Sequence, residues 1–339
     1  LNLPRARVQV NGDQIVVNPL VAVLGTSVFT GMLQHQGERS KPWKFEVRAN
    51  NLSVEQGALW FDVLGHRRPL PLLARLPGLS SFSGRREAAT QLFSALNAQG
   101  HFETPAVTYR SVTLGDFRAA VEISGRVIRL NGVSFRAGGG RGQGGAEVDL
   151  TKVPARITGE VKLIGAKVQA LAPRLPAALQ KVGGTLSGTG HFDTRGLTRE
   201  EMSANLNGGA TIRLRNLSFG EFDPLLALAR HADWGMLEPA RGKVAVHSAA
   251  ATLRVHDRRV VLTNCPLDAE GAKLKLTGAY SFDGAVRLDV HADFRGLTRR
   301  WQSTTGEAEA RSRVADIHLA GPLDRVTAMP VVQISQASR

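Results

Sequence analysis

Cysteine occurs once in the 339 residues, at Cys265. A single thiol excludes an internal disulfide framework and any zinc site built from four thiolates. Aromatic residues make up only 6% of the chain, so a large core has to lean on Val, Leu, Ile and Ala. No run approaches the roughly 18–20 continuous apolar residues of a membrane-spanning helix. The chain starts at Leu1 rather than Met. We therefore expect a fragment or processed product, from which no signal peptide can be read.

Charge of one sign is in excess, but it is not concentrated. The net charge is +14, and residues 1–113, 114–226 and 227–339 contribute +5, +5 and +4. A nucleic-acid domain gathers its basic residues into a stripe or block. No zinc finger, RNP aromatic motif or basic zipper accompanies the charge, so no nucleic-acid partner is expected. An even positive bias suits a solvated outer face or attraction to anionic lipid headgroups.

Chemistry-bearing motifs are also missing. The nine histidines show no metal-ligand spacing, and there is no His-Glu-x-x-His or Gly-x-Ser-x-Gly. Gly138–Gly145 (GGGRGQGG) lacks the Gly-Lys-Ser/Thr that would hold phosphate and magnesium, and we expect a wide, flexible turn there. Asp289 and Asp293 alternate with Arg287, His291 and Arg295, which suits solvated cross-strand partners rather than a glycosidase pair. Cys265, just before Pro266, is expected to be a small buried residue. The chain is therefore expected to be non-enzymatic, with no catalytic residue, metal or cofactor.

What is present is glycine, 36 of 339 residues, and a period of two. In Ala285–Arg295 the residues Val286, Leu288, Val290, Ala292 and Phe294 fall on one face and charged residues on the other. Such alternation marks a half-buried antiparallel strand. Leu274 with Leu276, and Ile212 with Leu214, repeat it against lysines and arginines, as do Val244 with Val246, Leu253 with Val255, and Ile157, Val161 and Leu163. Asn11-Gly12-Asp13, Asn131-Gly132, Asn207-Gly208-Gly209, Asp257 and Asp283-Gly284 predict hairpin turns between these runs. Short helices are expected at Pro71–Leu79, Glu87–Asn97, Lys167–Lys181 and Phe222–Ala232, the last with Asp223 as N-cap and Pro224 at the first helical position. Two echoes suggest a repeated β-unit: GHFET at Gly100–Thr104 with GHFDT at Gly190–Thr194, and DTRGLT at Asp193–Thr198 with DFRGLT at Asp293–Thr298.

From about Tyr109 to Pro330 the order of features resembles the C-terminal region of the AsmA-like proteins of the bacterial envelope. Val127–Leu150 supplies a strand pair with a glycine-rich turn, and Leu163–Leu179 a segment leading into a short helix. Gly184–Phe192 (GTLSGTGHF), Leu206–Gly220 with the following Leu225 and Leu226, Leu276–Leu288 and Gly321-Pro322-Leu323 complete the series. The resemblance implies a mainly β fold, a long antiparallel twisted sheet curled into a groove with a few capping helices, similar to bridge-like lipid-transfer proteins. It divides the chain into a β-groove segment at 1–98, an AsmA-like region at 99–330 and a tail at 331–339. It implies a periplasmic protein tethered to the inner membrane through an upstream helix, taking part in phospholipid transport toward the outer membrane.

A long amphipathic meander must cover its apolar face. It can fold onto itself as a sandwich, close as a barrel, or curl around a ligand. The resemblance favours the groove, with acyl lipid as ligand and Ile212, Leu214, Leu274, Leu276, Val286, Leu288, Val290 and Phe294 as its lining. Two other functions fit the same pattern. One is a scaffold or assembly factor for outer-membrane proteins that offers edge strands by β-augmentation to an outer-membrane or periplasmic partner. The other is a carbohydrate-binding β-protein, against which the scattered Trp43, Trp60, Trp234 and Trp301 and the two tyrosines argue.

Overall fold

The computed structural model describes residues 2–37, 41–53, 96–109, 112–171, 182–218, 245–269, 272–293, 314–322 and 327–331. Strand accounts for 81% of them. The expected helices at Pro71–Leu79 and Phe222–Ala232 lie outside the described residues. So does Glu87–Asn97 except for its end, where Asn97 already belongs to a strand. Of Lys167–Lys181, Val168–Leu171 forms the short helix α1 and the rest from 172 lies outside.

Two compact units divide the chain. The first holds residues 1–137, 141–161 and 192–205. Its strands β1 (Asn2–Asn11), β2 (Gln14–Leu24), β3 (Ser27–Gln36) and β4 (Trp43–Ala49) pair antiparallel in succession. A two-residue strand, β5 (Leu52–Ser53), and β6 (Asn97–Tyr109) follow. β6 lies parallel to β4 and β5, then antiparallel to β7 (Val112–Ser124), which pairs with β8 (Val127–Ala137). Strands β9 (Gly140–Asp149), β10 (Arg156–Lys167) and β11 (Gly183–Arg195) run through both units, and the helix α2 (Arg199–Ala204) belongs to the first.

The second unit holds residues 138–140, 162–191 and 206–339. Here β12 (Asn207–Ser218), β13 (Ala245–His256), β14 (Arg259–Ala269), β15 (Ala272–Ser281), β16 (Ala285–Asp293), β17 (Val314–Pro322) and β18 (Thr327–Val331) pair antiparallel in chain order. The expected mainly β architecture is what the described residues form.

One hairpin recurs three times. In β2–β3, β8–β9 and β14–β15 a strand of 11 residues is followed by one of 10, with two residues between them. The strand before each hairpin, β1, β7 or β13, ends at another two-residue turn: Gly12-Asp13, Gly125-Arg126 or Asp257-Arg258. Gly12, Gly125 and both residues of Asp257-Arg258 have positive φ, which matches the turn's twist to that of the strands. In the middle strand of each set the pairing slips at the same place, around Asn18-Pro19, Asn131-Gly132 and Thr263-Asn264. Asn131-Gly132 is therefore a bulge inside β8, with Gly132 at φ +58°, and not a hairpin turn. Asn207-Gly208-Gly209 opens β12 and is likewise not a turn.

The glycine run also departs from the expectation. Only Gly138 and Gly139 turn, and Gly140–Asp149 is strand β9. Its glycines make room for neighbours: a Cβ on Gly142 would run into the Phe135 ring, and one on Gly144 into the Glu160 carbonyl oxygen. The same device recurs where Phe45 lies on Gly100 and Phe192 on Gly159. An aromatic ring laid over a strand glycine restores the apolar cover that glycine lacks. The GHFET and GHFDT echoes occupy β6 and β11, and each ends in a buried threonine, Thr104 and Thr194.

Candidate functional site

The period-two side chains of β12–β17 assemble one apolar face in the second unit. Leu214 lies opposite Ala249, Ala249 opposite Leu267, Leu267 opposite Leu274, and Leu274 opposite Ala292. A second row runs Cys265, Leu276, Val290, Ile317, and a third Leu253, Leu262, Gly278, Leu288, Leu319. Val286 sits between Tyr280 and Gly321, and Ile212 opposite Ala251. Seven of the expected lining residues are thus placed, and Phe294 lies outside the described residues. Leu274, Val290 and their neighbours Val246 and Ile317 form one buried cluster, with Leu214, Leu276, Leu267 and Leu319 packed against it. Ile212 and Leu262 pack on a second cluster of Ala249, Ala251 and Cys265.

The burial is graded in an informative way. Most of the buried members are small or β-branched, Ala249, Ala251, Ala269, Ala272, Ala292, Val246, Val290 and Ile317 among them, and Leu217 and Leu274 are buried with them. The leucines at 214, 262, 267, 276, 288 and 319, and Ile212, are only half-buried.

Polar groups lie on the opposite face. His291 Nδ1 is 2.7 Å from Asp316 Oδ1, and His318 Nδ1 is 2.6 Å from Asp289 Oδ1, on adjacent strands that place Asp289 opposite His318. Asp289 is the solvated cross-strand partner expected of it. Lys273 stands opposite Asp293 and Lys275 opposite His291. Among the described residues no group of three or more His, Cys, Asp or Glu is placed to hold a metal ion. Cys265 is buried in the apolar face, and burial pushes its thiol pKa up, which makes it a small apolar filler rather than a nucleophile.

Ile317 and Leu319 belong to the face although the lining read from the sequence omits them; the alternation of Ala315, Ile317 and Leu319 in β17 is the signal that marks them. Leu262 and Leu267 are harder to find. They lie on one face although five residues apart, because the bulge between Leu262 and Cys265 reverses the alternation.

Among the described residues no helix is long and apolar enough to cross a membrane. No curated protein and no solved structure gives a significant match to the chain. The model of the AsmA family matches residues 85–222, a stretch that includes the β6–β12 strands and the glycine-rich β8–β9 hairpin, and over it the chain is AsmA-like, as its sequence pattern implies.

Proposed function

We propose that the apolar face of β12–β17 binds the acyl chains of lipids and that the protein contributes to phospholipid transport between the two membranes of the bacterial envelope. The observation that carries this reading is the row of half-exposed leucines over a buried floor of alanines and valines with Leu274 and Ile317. Such a face is unfinished as a core and gains free energy from an apolar cover. Each acyl methylene buried against it contributes about 0.8 kcal/mol. Among the described residues the face carries aliphatic side chains and no charged clamp, so it holds chains by area and lets them slide. The AsmA-family segment supports an envelope setting. In that setting the protein acts in the periplasm, joined to the inner membrane by a helix upstream of these residues, without cofactor or catalysis.

The test is native mass spectrometry, with lipid extraction, on protein purified without detergent. Co-purifying phospholipid is the expected result. Leu276→Asp with Leu288→Asp should abolish it while the protein still melts cooperatively, because both side chains are half-exposed. Lipid-free wild-type protein, or lipid retained by the double variant, would overturn the reading.

A further inference from the structure

Burial on the β12–β17 face changes in one direction along the strands. The register divides the face into rows that cross the strands. The first row, Leu217, Val246, Ala269 and Ala272, is buried throughout. The next two, through Leu214 and through Cys265, mix buried and half-buried residues. The fourth, Leu253, Leu262, Gly278, Leu288 and Leu319, is half-buried throughout. In the fifth, Val255, Val260 and Gly321 are half-buried and Tyr280 is 37% exposed. Val286, directly opposite Tyr280, departs from the trend at 5% exposure.

The two margins differ in chemistry as well. At the first row, Val182 belongs to the buried cluster and Val168 of α1 packs against it, so this margin is closed and dry. Past the fifth row come two polar turns, Asp257-Arg258 and Phe282-Asp283-Gly284. The Phe282 amide donates to the Arg258 carbonyl at 2.9 Å and holds them side by side. Tyr280 is the one aromatic residue in the five rows and stands at this wet margin. Among the described residues its hydroxyl has no hydrogen-bond partner. A tyrosine so placed offers an apolar ring to the face and a polar tip to water.

An amphiphile aligns with such a gradient. A polar head set among the alanines and valines of the first row would lose its water without gaining a partner. A methyl end left at the turns would forgo apolar contact. From this we infer that a bound acyl chain lies along the strands rather than across them, with its methyl end toward the Leu217 row and its polar head at Tyr280. The Tyr280 hydroxyl donates to an oxygen of the head. Phosphate, ester and carboxylate oxygens all accept, so this neutral group orients the lipid without selecting its headgroup. Chains enter and leave over the Tyr280 margin, because the opposite one is closed. The inference rests on acyl-chain binding by this face and adds the direction in which the chain lies.

The probes are two stearic acids, one with a nitroxide near the carboxylate and one with it near the methyl end. The reporters are bimane labels on Val255→Cys in the fifth row and Leu214→Cys in the second, each in a Cys265→Ala chain. Displacement of a fluorescent fatty acid first confirms that each labelled chain still binds. The carboxylate-end nitroxide should quench the label at residue 255 at least twofold more than that at 214, and the methyl-end nitroxide should reverse the order. Tyr280→Phe should weaken stearate binding about three- to tenfold, as for one lost hydrogen bond. The melting transition and the gain in affinity per methylene should stay unchanged. Equal quenching of both labels by each probe, the reverse order, or wild-type affinity in Tyr280→Phe would overturn the inference while leaving acyl binding in place. Absence of quenching by either probe at either label would instead overturn acyl binding on this face, and the inference with it.

Discussion

Single residues carry much of the sheet's fit. Phe135 lies over Gly142, so the ring and the missing side chain are one feature. Phe135→Ala should cost about 1–2 kcal/mol, below the range for a fully buried ring because Phe135 is half-exposed. Gly142→Ala alone should also destabilise, since its methyl meets the ring. In the Phe135→Ala background its cost should fall by about 1 kcal/mol. Urea unfolding of the four proteins in this cycle tests the coupling, and additive costs would refute it. Thr194 is a second case. It is buried, and its hydroxyl donates to the Met202 carbonyl at 2.7 Å, tying β11 to α2. Thr194→Val keeps the shape and leaves that carbonyl without its donor, so we expect a loss of about 1–2 kcal/mol in the same assay.

At the scale of elements, α2 shows how six residues hold a helix. Thr198 caps it: its hydroxyl accepts from the Glu201 amide at 3.2 Å, while the Glu201 carboxylate accepts from the amides of Leu197 and Thr198 at 3.0 and 3.2 Å. Those amides lower the Glu201 pKa below the usual carboxylate value. The cap's contribution is therefore fully present above the unfolded pKa of glutamate and is lost as pH falls through the lower folded value. Amide exchange at Leu197 and Thr198, corrected for its intrinsic pH dependence, should lose protection on acidification. Glu201→Gln should flatten that dependence. The signal for this cap, Thr198 three residues before Glu201, is in the sequence as a capping box. The strands themselves were legible for a related reason: a face of aliphatics against a face of Lys, Arg, Asp and His leaves one orientation for Leu274, Leu276 and Val290. The glycine pairs were not legible. Asn131-Gly132 has the composition of a hairpin turn, and only its partner strand reveals that it is a bulge with a residue to spare. GGGRGQGG looks like loop because the sequence does not say that Phe135 and the Glu160 carbonyl fill the space where side chains would be. The face's membership across β14 was hidden for the same reason, since the bulge at Thr263-Asn264 shifts the alternation between Leu262 and Cys265.

At the scale of the whole molecule, the question is what a repeated sheet with an unfinished apolar face selects. Among the described residues, rows of Leu, Ile, Val and Ala across β12–β17 present area without a fixed polar anchor, while the His–Asp pairs and lysines stand on the opposite face. Recognition on such a face scales with apolar contact. Affinity for single-chain probes should therefore rise with acyl length by up to about 0.8 kcal/mol per methylene, roughly fourfold in Kd. Exchanging a phosphocholine for a phosphoglycerol headgroup should change it far less at physiological salt. Displacement of a fluorescent fatty acid by saturated probes of increasing length measures both slopes. A flat response to length with a steep response to headgroup would show that the polar face, rather than the row of half-buried leucines, meets the lipid. Val290→Asp separates area from architecture. Val290 is 3% exposed in the floor of the cluster, so an unpaired carboxylate there should destabilise the unit outright. Leu288→Asp, on the half-exposed rim, should weaken long-chain probes and leave the melting transition nearly in place. If both variants unfold alike, the leucines are ordinary core, and the face does not wait for a cover.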